Sequence, residues 1–290
     1  DRKGIYLTIA IDEGERYKVH SFSVRGDTLK YGAELNEAIT LQEGEIYNQR
    51  RVTENEKTLA SILGKYGYAN SEVKAFPIYN DKEKTVDLNF HVNPGSRVHV
   101  SQVLITGNDS TDDTVIRREL RQMDGSWLSS EAIEVSKTRL NRTGYFETVD
   151  VTTENVGATD DTVSVNTKVK ERPTGSISGG IGIGTDSGLT IQASISQNNL
   201  FGWGTRANIT SYENDYRKHM EIGYTDPYFT VDNVSLGGRL YLDKYDGDDD
   251  EDVVDYTNHT CGATFNLGYP ISETWFVNYN LGIEKSKIKN

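Results

Sequence analysis

The stretch Gly175, Ser176, Ile177, Ser178, Gly179, Gly180, Ile181, Gly182, Ile183, Gly184 reads as a strand in which five of ten residues are glycine. Glycine removes packing and adds backbone freedom, so such a strand pairs weakly with its neighbours. The chemistry it offers is that of the backbone. A strand that detaches exposes N–H and C=O groups that can bind another extended segment whatever its side chains. The alternative is that these glycines only relieve crowding where a sheet bends. The GxGxG spacing at Gly180, Gly182 and Gly184 looks like a phosphate loop, but it lies inside a strand pattern with no amphipathic helix behind it. Nucleotide binding is not expected there.

Other chemistry-bearing residues are sparse. Five histidines at positions 20, 91, 99, 219 and 259 have no metal-type spacing, and the single Cys261 rules out an internal disulfide. No basic residue closely flanks Cys261, so it reads as a small apolar residue rather than a reactive thiol. The acids Asp246, Asp248, Asp249, Asp250, Glu251 and Asp252 invite a calcium reading, yet they lack the spaced ligands and closing glutamate of an EF-hand loop. A solvated loop is the expectation. The run from Arg117 to Gly125, RRELRQMDG, reads by itself as a solvated helix end and turn. No nucleophile motif, Walker loop or zinc signature occurs, so neither enzymatic activity nor a cofactor is expected.

Composition narrows the class. The chain of 290 residues has a formal charge of −13, from 31 basic and 44 acidic side chains, which argues against nucleic acid as a partner. A mean hydropathy of −0.60 and the absence of any run of 18 apolar residues exclude a helical membrane protein. They do not exclude a transmembrane barrel, because half of each barrel strand is polar. The chain opens on DRKG without an apolar leader, so any secretory signal is expected upstream or already removed.

The first half repeats. A shift of 81 lays Ile5 to Asp27 on Val86 to Asn108, and a shift of 77 lays Leu63, Gly67, Tyr68 and Val86 on Leu140, Gly144, Tyr145 and Val163. The modules are expected at 15–94 and 95–173, with residues 1–14 as the last strand of a preceding copy. Each reads strand, helix, helix, strand, strand, an α+β layer structure. In the second, Ser110 and Asp113 have the spacing of a capping box, and a later helix stops at Gly144.

After Pro173 the helical period gives way to long alternation over 174–290. Apolar or small rows run through Val234 to Leu242, Cys261 to Tyr269 and Trp275 to Ile283. Short turns at Pro227-Tyr228 and Gly268–Ser272 alternate with longer polar loops, and Tyr228, Phe229, Tyr269, Trp275 and Phe276 gather at the short-turn end. That is how an outer-membrane barrel is arranged. About seven strands are expected, fewer than the eight a single-chain bacterial barrel needs, so the segment is expected to be an incomplete barrel. A soluble sandwich would show the same alternation.

Two βααββ modules, then KVKERPTGSISGGIGIGT, NNLFGWG (Asn198 to Gly204) and DPYF (Asp226 to Phe229), resemble the outer-membrane barrel assembly factors whose periplasmic repeats are POTRA domains. The resemblance covers the whole chain. It implies the end of a third POTRA, a fourth and a fifth, then the first strands of a sixteen-strand antiparallel barrel. It implies a non-enzymatic insertase in the bacterial outer membrane, its modules in the periplasm, acting on unfolded outer-membrane proteins beside accessory lipoproteins, periplasmic chaperones and outer-membrane lipid. Client strands would add to POTRA edges and to the weak first strand, Gly175–Gly184. Lipoprotein docking would fall to Arg117, Arg121, Gln122, Met123, Asp124 and Gly125, with Asp124 where the family commonly has Glu. Alternatives within this resemblance are a two-partner secretion pore with its usual two POTRAs and a three-POTRA translocation-and-assembly insertase; outside it stands a soluble adhesion or scaffold protein.

Overall fold

Alternate residues Val86, Leu88, Phe90 and Val92 of one strand, each at most 1% exposed, form the spine of the first module. Burial of each contributes about 1.5–3 kcal/mol. The structure is a computed structural model describing residues 15–157, 161–185, 188–247, 256–272 and 274–289. The expected third copy at 1–14 and most of the acidic run lie outside these residues. Two compact units divide the chain, one running through Val103 and taking in Gln122–Glu134 and Thr153–Val165, the other holding Leu104–Arg121, Val135–Thr152 and Asn166–Asn290.

The first module comprises β1 (Lys18–Gly26), α1 (Gly32–Glu37), α2 (Gln49–Lys65), β2 (Glu72–Asn80) and β3 (Thr85–Asn93). Its sheet has the order β1-β3-β2, with β1 parallel and β2 antiparallel to the central strand. Helix α2 starts where the Asn48 side chain accepts a hydrogen bond from Arg50 N–H at 2.9 Å, and its Val52, Leu59 and Leu63 pack into the core. The second module repeats the order as β4 (His99–Thr106), α3 (Asp113–Arg117), α4 (Ser130–Thr143), β5 (Phe146–Asn155) and β6 (Thr162–Glu171), in a β4-β6-β5 sheet. The joint is stiffened by Arg97, whose Nε donates to Tyr66 O at 2.8 Å while its guanidinium lies 4.2 Å from the Trp127 ring.

The expected capping box does not form. Helix α3 begins at Asp113 with Asp112 at its N-cap and no side-chain cap, because the Ser110 and Thr111 N–H groups are bonded to the Glu171 carboxylate at the end of β6. Gly144 does follow α4 at φ +71°, the left-handed conformation that ends a helix.

Seven strands follow in sequence order, every neighbouring pair antiparallel: β7 (Gly175–Gly184), β8 (Gly188–Asn198), β9 (Arg206–Glu213), β10 (Arg217–Asp226), β11 (Ser235–Asp246), β12 (Thr257–Pro270) and β13 (Phe276–Lys289). The last turn falls at 271–275 rather than 268–272. Gly268, Tyr269 and Pro270 still pair in register with Asn278, Val277 and Phe276, and the turn closes by Ile271 N–H to Trp275 O.

The sheet's two faces differ in chemistry. One carries Ile222, Leu240, Leu242, Phe265, Leu281 and Ile283, all more than half exposed. The other carries an ion-pair network in which Asp243 takes Arg217 at 2.8 Å and His219 at 2.9 Å, and Arg239 meets Glu221 at 3.3 Å. In a sandwich the apolar face would be packed on a second sheet; among the described residues nothing covers it. A polar face of paired charges opposite a bare apolar face is a transmembrane barrel wall. No described helix is long and apolar enough to cross a membrane.

Candidate strand-pairing edge and module junction

Strand β7 covers the glycine-rich stretch and lies at the edge of the seven-strand sheet. It pairs only with β8 among the described residues, from Gly175 opposite Gln197 to Gly184 opposite Gly188. Its apolar side chains are bare: Ile177 is 84% and Ile183 88% exposed. None of its glycines has the positive φ that would demand glycine. A Cβ on Gly182 would meet nothing within 4 Å, and one on Gly179 only Gln192 O at 3.7 Å. Cβ atoms at Gly175 and Gly180 would press only on the flexible ends of Gln197 and Gln192. Within the described residues, crowding does not account for this glycine content. What remains is its effect on pairing, since each glycine omits a cross-strand side-chain contact.

The 117–125 run folds differently from a solvated turn. Arg117 pairs with Asp113 at the surface, but Glu119, Leu120 and Gln122 are buried. Gln122 knits the loop together: its Nε2 donates to Ser126 Oγ at 2.7 Å and Trp127 O at 3.1 Å, and its Oε1 accepts from Ser129 N–H at 2.8 Å. Arg121 bonds back to the carbonyls of Arg118 and Leu120, and the Asp124 carboxylate accepts from Val103 N–H. Gly125, at φ +70°, turns the chain so that its N–H reaches Val100 O at 2.9 Å. Of the six residues implied for docking, Gln122, Asp124 and Gly125 build the loop, and Met123, 56% exposed, is presented by it.

No local spacing announces the cluster that joins the second module to the barrel wall. The turn after β8 places Asn199, Phe201, Gly202 and Gly204 at φ +52°, +53°, +82° and +71°. Left-handed geometry at the two non-glycine positions costs about 1 kcal/mol each. It sets the turn against the module: Gly202 O accepts from Asp112 N–H at 3.0 Å, Gly204 O from Tyr145 O–H at 3.1 Å, and Asn199 donates to Thr111 Oγ1 at 2.8 Å. From the turn after β10, Tyr228 receives the Arg118 guanidinium 4.2 Å above its ring and a 2.7 Å hydrogen bond from Arg139. Arg139 also pairs with buried Glu119 at 2.9 Å. Burial, and then the Glu119 charge, push the Tyr228 phenol up to about 12. The motifs NNLFGWG and DPYF were legible as motifs, but their partners lie far away in the chain, from Tyr145 for Gly204 to Arg118 for Tyr228.

These elements define a class: periplasmic α+β repeats fixed to the turns of an antiparallel barrel wall. A family profile for the Omp85 superfamily domain matches residues 199–290, and one described as surface antigen variable number repeat, the POTRA family, matches 17–95 and 98–172. The chain belongs to the POTRA-bearing Omp85 superfamily. More particularly, it is 32% identical over 292 residues to the outer membrane protein assembly factor BamA of Buchnera aphidicola, covering all of this chain and 47% of that one. It is 35% identical to BamA of Neisseria meningitidis, covering 96% of this chain and 35% of the relative. The crystal structure of Haemophilus ducreyi BamA lacking POTRA domains 1–3 superposes with a TM-score of 0.81 at 37% identity, over 94% of this chain and 52% of that one. CdiB from Escherichia coli, at 16% identity and a TM-score of 0.52, shares the fold alone. The chain spans about half or less of the length of these relatives.

Removing the Glu119 carboxylate breaks its buried 2.9 Å ion pair with Arg139. Glu119→Ala is expected to destabilise the junction by about 3 kcal/mol, read as a lowered thermal midpoint in detergent micelles. An unchanged midpoint would mean that the pair is solvated.

Proposed function

We propose that this chain acts in an outer-membrane protein assembly factor, a non-enzymatic insertase that folds barrel proteins into the bacterial outer membrane with its POTRA modules in the periplasm. Its relatives' names support the class, and the bare, glycine-rich edge of β7 is the observation that carries the mechanism. Unpaired N–H and C=O groups on that edge would accept a client strand by β-augmentation, with affinity independent of client sequence. Neither covalent chemistry nor a cofactor is required. The partners are unfolded outer-membrane proteins, delivered by periplasmic chaperones, and outer-membrane lipid; nucleic acid is not among them. The two-partner secretion pore is the lesser reading, since the likeness to CdiB carries fold only.

An accessory lipoprotein is proposed to dock on the loop that presents Met123. Exchange of Met123 for Asp would put a charge at the centre of that contact. Loss of lipoprotein co-purification is expected, and full retention would remove Met123 from the interface.

The weak-strand mechanism is tested by filling the glycines. A Cβ at Gly179 or Gly182 meets no heavy atom closer than 3.7 Å, so Gly179→Val and Gly182→Val are chosen to add β propensity and strengthen β7 pairing. Insertion of an unfolded barrel client into lipid vesicles is expected to slow several-fold. An unchanged rate would contradict a working β7 seam, and no insertion even by the unaltered protein would favour the secretion pore.

A further inference from the structure

The two modules do not offer equal edges. The outer side of β1 is closed by residues 44–47, through Val19 N–H to Glu45 O at 2.8 Å, Gly44 N–H to Val19 O at 2.7 Å and Tyr47 N–H to Tyr17 O at 2.8 Å. The outer side of β4 is closed in the same way by residues 125–128, through Val100 N–H to Ser126 O at 2.8 Å and Leu128 N–H to Val98 O at 2.9 Å. Among the described residues of the two modules, the outer sides of β2 and β5 are the ones left for another strand.

On β2 the two central outward donors are missing. Ala75 N–H points away from β3 and donates to the Glu56 carboxylate of α2 at 2.7 Å. Successive outward N–H groups on a strand are two residues apart, so the next position is Pro77, which has no N–H. Proline on an edge strand and a charge laid against the edge are devices that block strand addition.

The second module lacks both. Buried Val149 takes the place of buried Val73, so Val151 corresponds to Ala75 and Thr153 to Pro77. On the helix, Ser136 and Leu140 correspond to Leu59 and Leu63, so Ile133 stands at the position of Glu56. Because the side-chain face and the N–H direction alternate together, Val151 and Thr153 turn their N–H groups outward as Ala75 does. Neither has a partner among the described residues. The segment Thr148, Val149, Asp150, Val151, Thr152, Thr153 is also rich in β-branched residues, which favour an extended edge.

We infer that strand addition to the modules is confined to the outer edge of β5, while Pro77 and Glu56 close β2 against it. The occupant is an extended segment of an unfolded outer-membrane protein, and this rests on the assembly function proposed above. It departs from that reading in making only one of the two module edges an acceptor. Closing β2 directs a client to the module bonded to the barrel turns.

The test places a photo-crosslinking residue at Phe76 on β2 or at its counterpart Thr152 on β5, in the native membrane-inserted protein presented with an unfolded barrel client. Adducts are expected at 152 and not at 76. Thr153→Pro, which copies the arrangement natural to β2 without removing a ladder bond, is expected to lower the yield at 152 several-fold. Pro77→Thr combined with Glu56→Gln is expected to create adducts at 76. Equal adducts at both positions in the unaltered chain, or no effect of Thr153→Pro, would overturn the selectivity while leaving the assembly function standing. Absence of adducts at both positions while the client still inserts would overturn the inference and the client-binding role of the modules together.

Discussion

Every backbone N–H and C=O taken out of water needs a partner, and this chain is arranged by where those partners run out. In the modules the sheets are three strands wide, and one edge of each is sealed by the chain's own loops at 44–47 and 125–128. In the barrel wall each strand from β8 to β12 is paired on both sides, whereas among the described residues β7 is paired on one side alone. An edge at membrane depth cannot be satisfied by solvent. In the proposed mechanism a glycine-rich strand placed there, paired among the described residues with β8 alone, is exchanged for another strand at the cost of few side-chain contacts.

The same accounting explains the junction. The turn between β8 and β9 uses left-handed residues to aim its carbonyls at the second module, so Asp112 and Tyr145 are bonded to backbone rather than to side chains that substitution could remove. Buried charge then adds direction. Glu119 neutralises Arg139, which in turn holds Tyr228 from the next turn, while Arg118 covers the ring. A cluster of this kind contributes geometry more than net stability, because desolvation offsets much of the ion-pair attraction. What it secures is the placement of two turns against one module.

Much of this architecture was readable from residue order. The repeat at a shift of 77 and the period-two rows located the helices and strands, because each rests on local spacing: Leu59 and Leu63 on one helix face, Val86 through Val92 on one strand face. The glycine run gave β7 with its bounds. Local spacing failed where a distant group supplied the partner. Ser110 and Asp113 have capping-box spacing, yet Glu171, 60 residues on, takes the N–H groups. RRELRQMDG looked solvated because its charges are adjacent in sequence, whereas Glu119 and Gln122 point inward to partners on α4 and in the loop. The closure of β2 combines one legible residue, Pro77, with one hidden contact, from Glu56 to Ala75.

Amide hydrogen exchange in lipid measures directly how weakly β7 is held in the wall, as proposed here. The amides of β7 that face β8 should exchange markedly faster than those of β10, β11 and β12, whose strands are paired on both sides and carry side chains at most positions. Protection of Gly179 to Ile183 equal to that of the central strands would contradict the account, and would mean that the glycine-rich strand is fixed in place like any other.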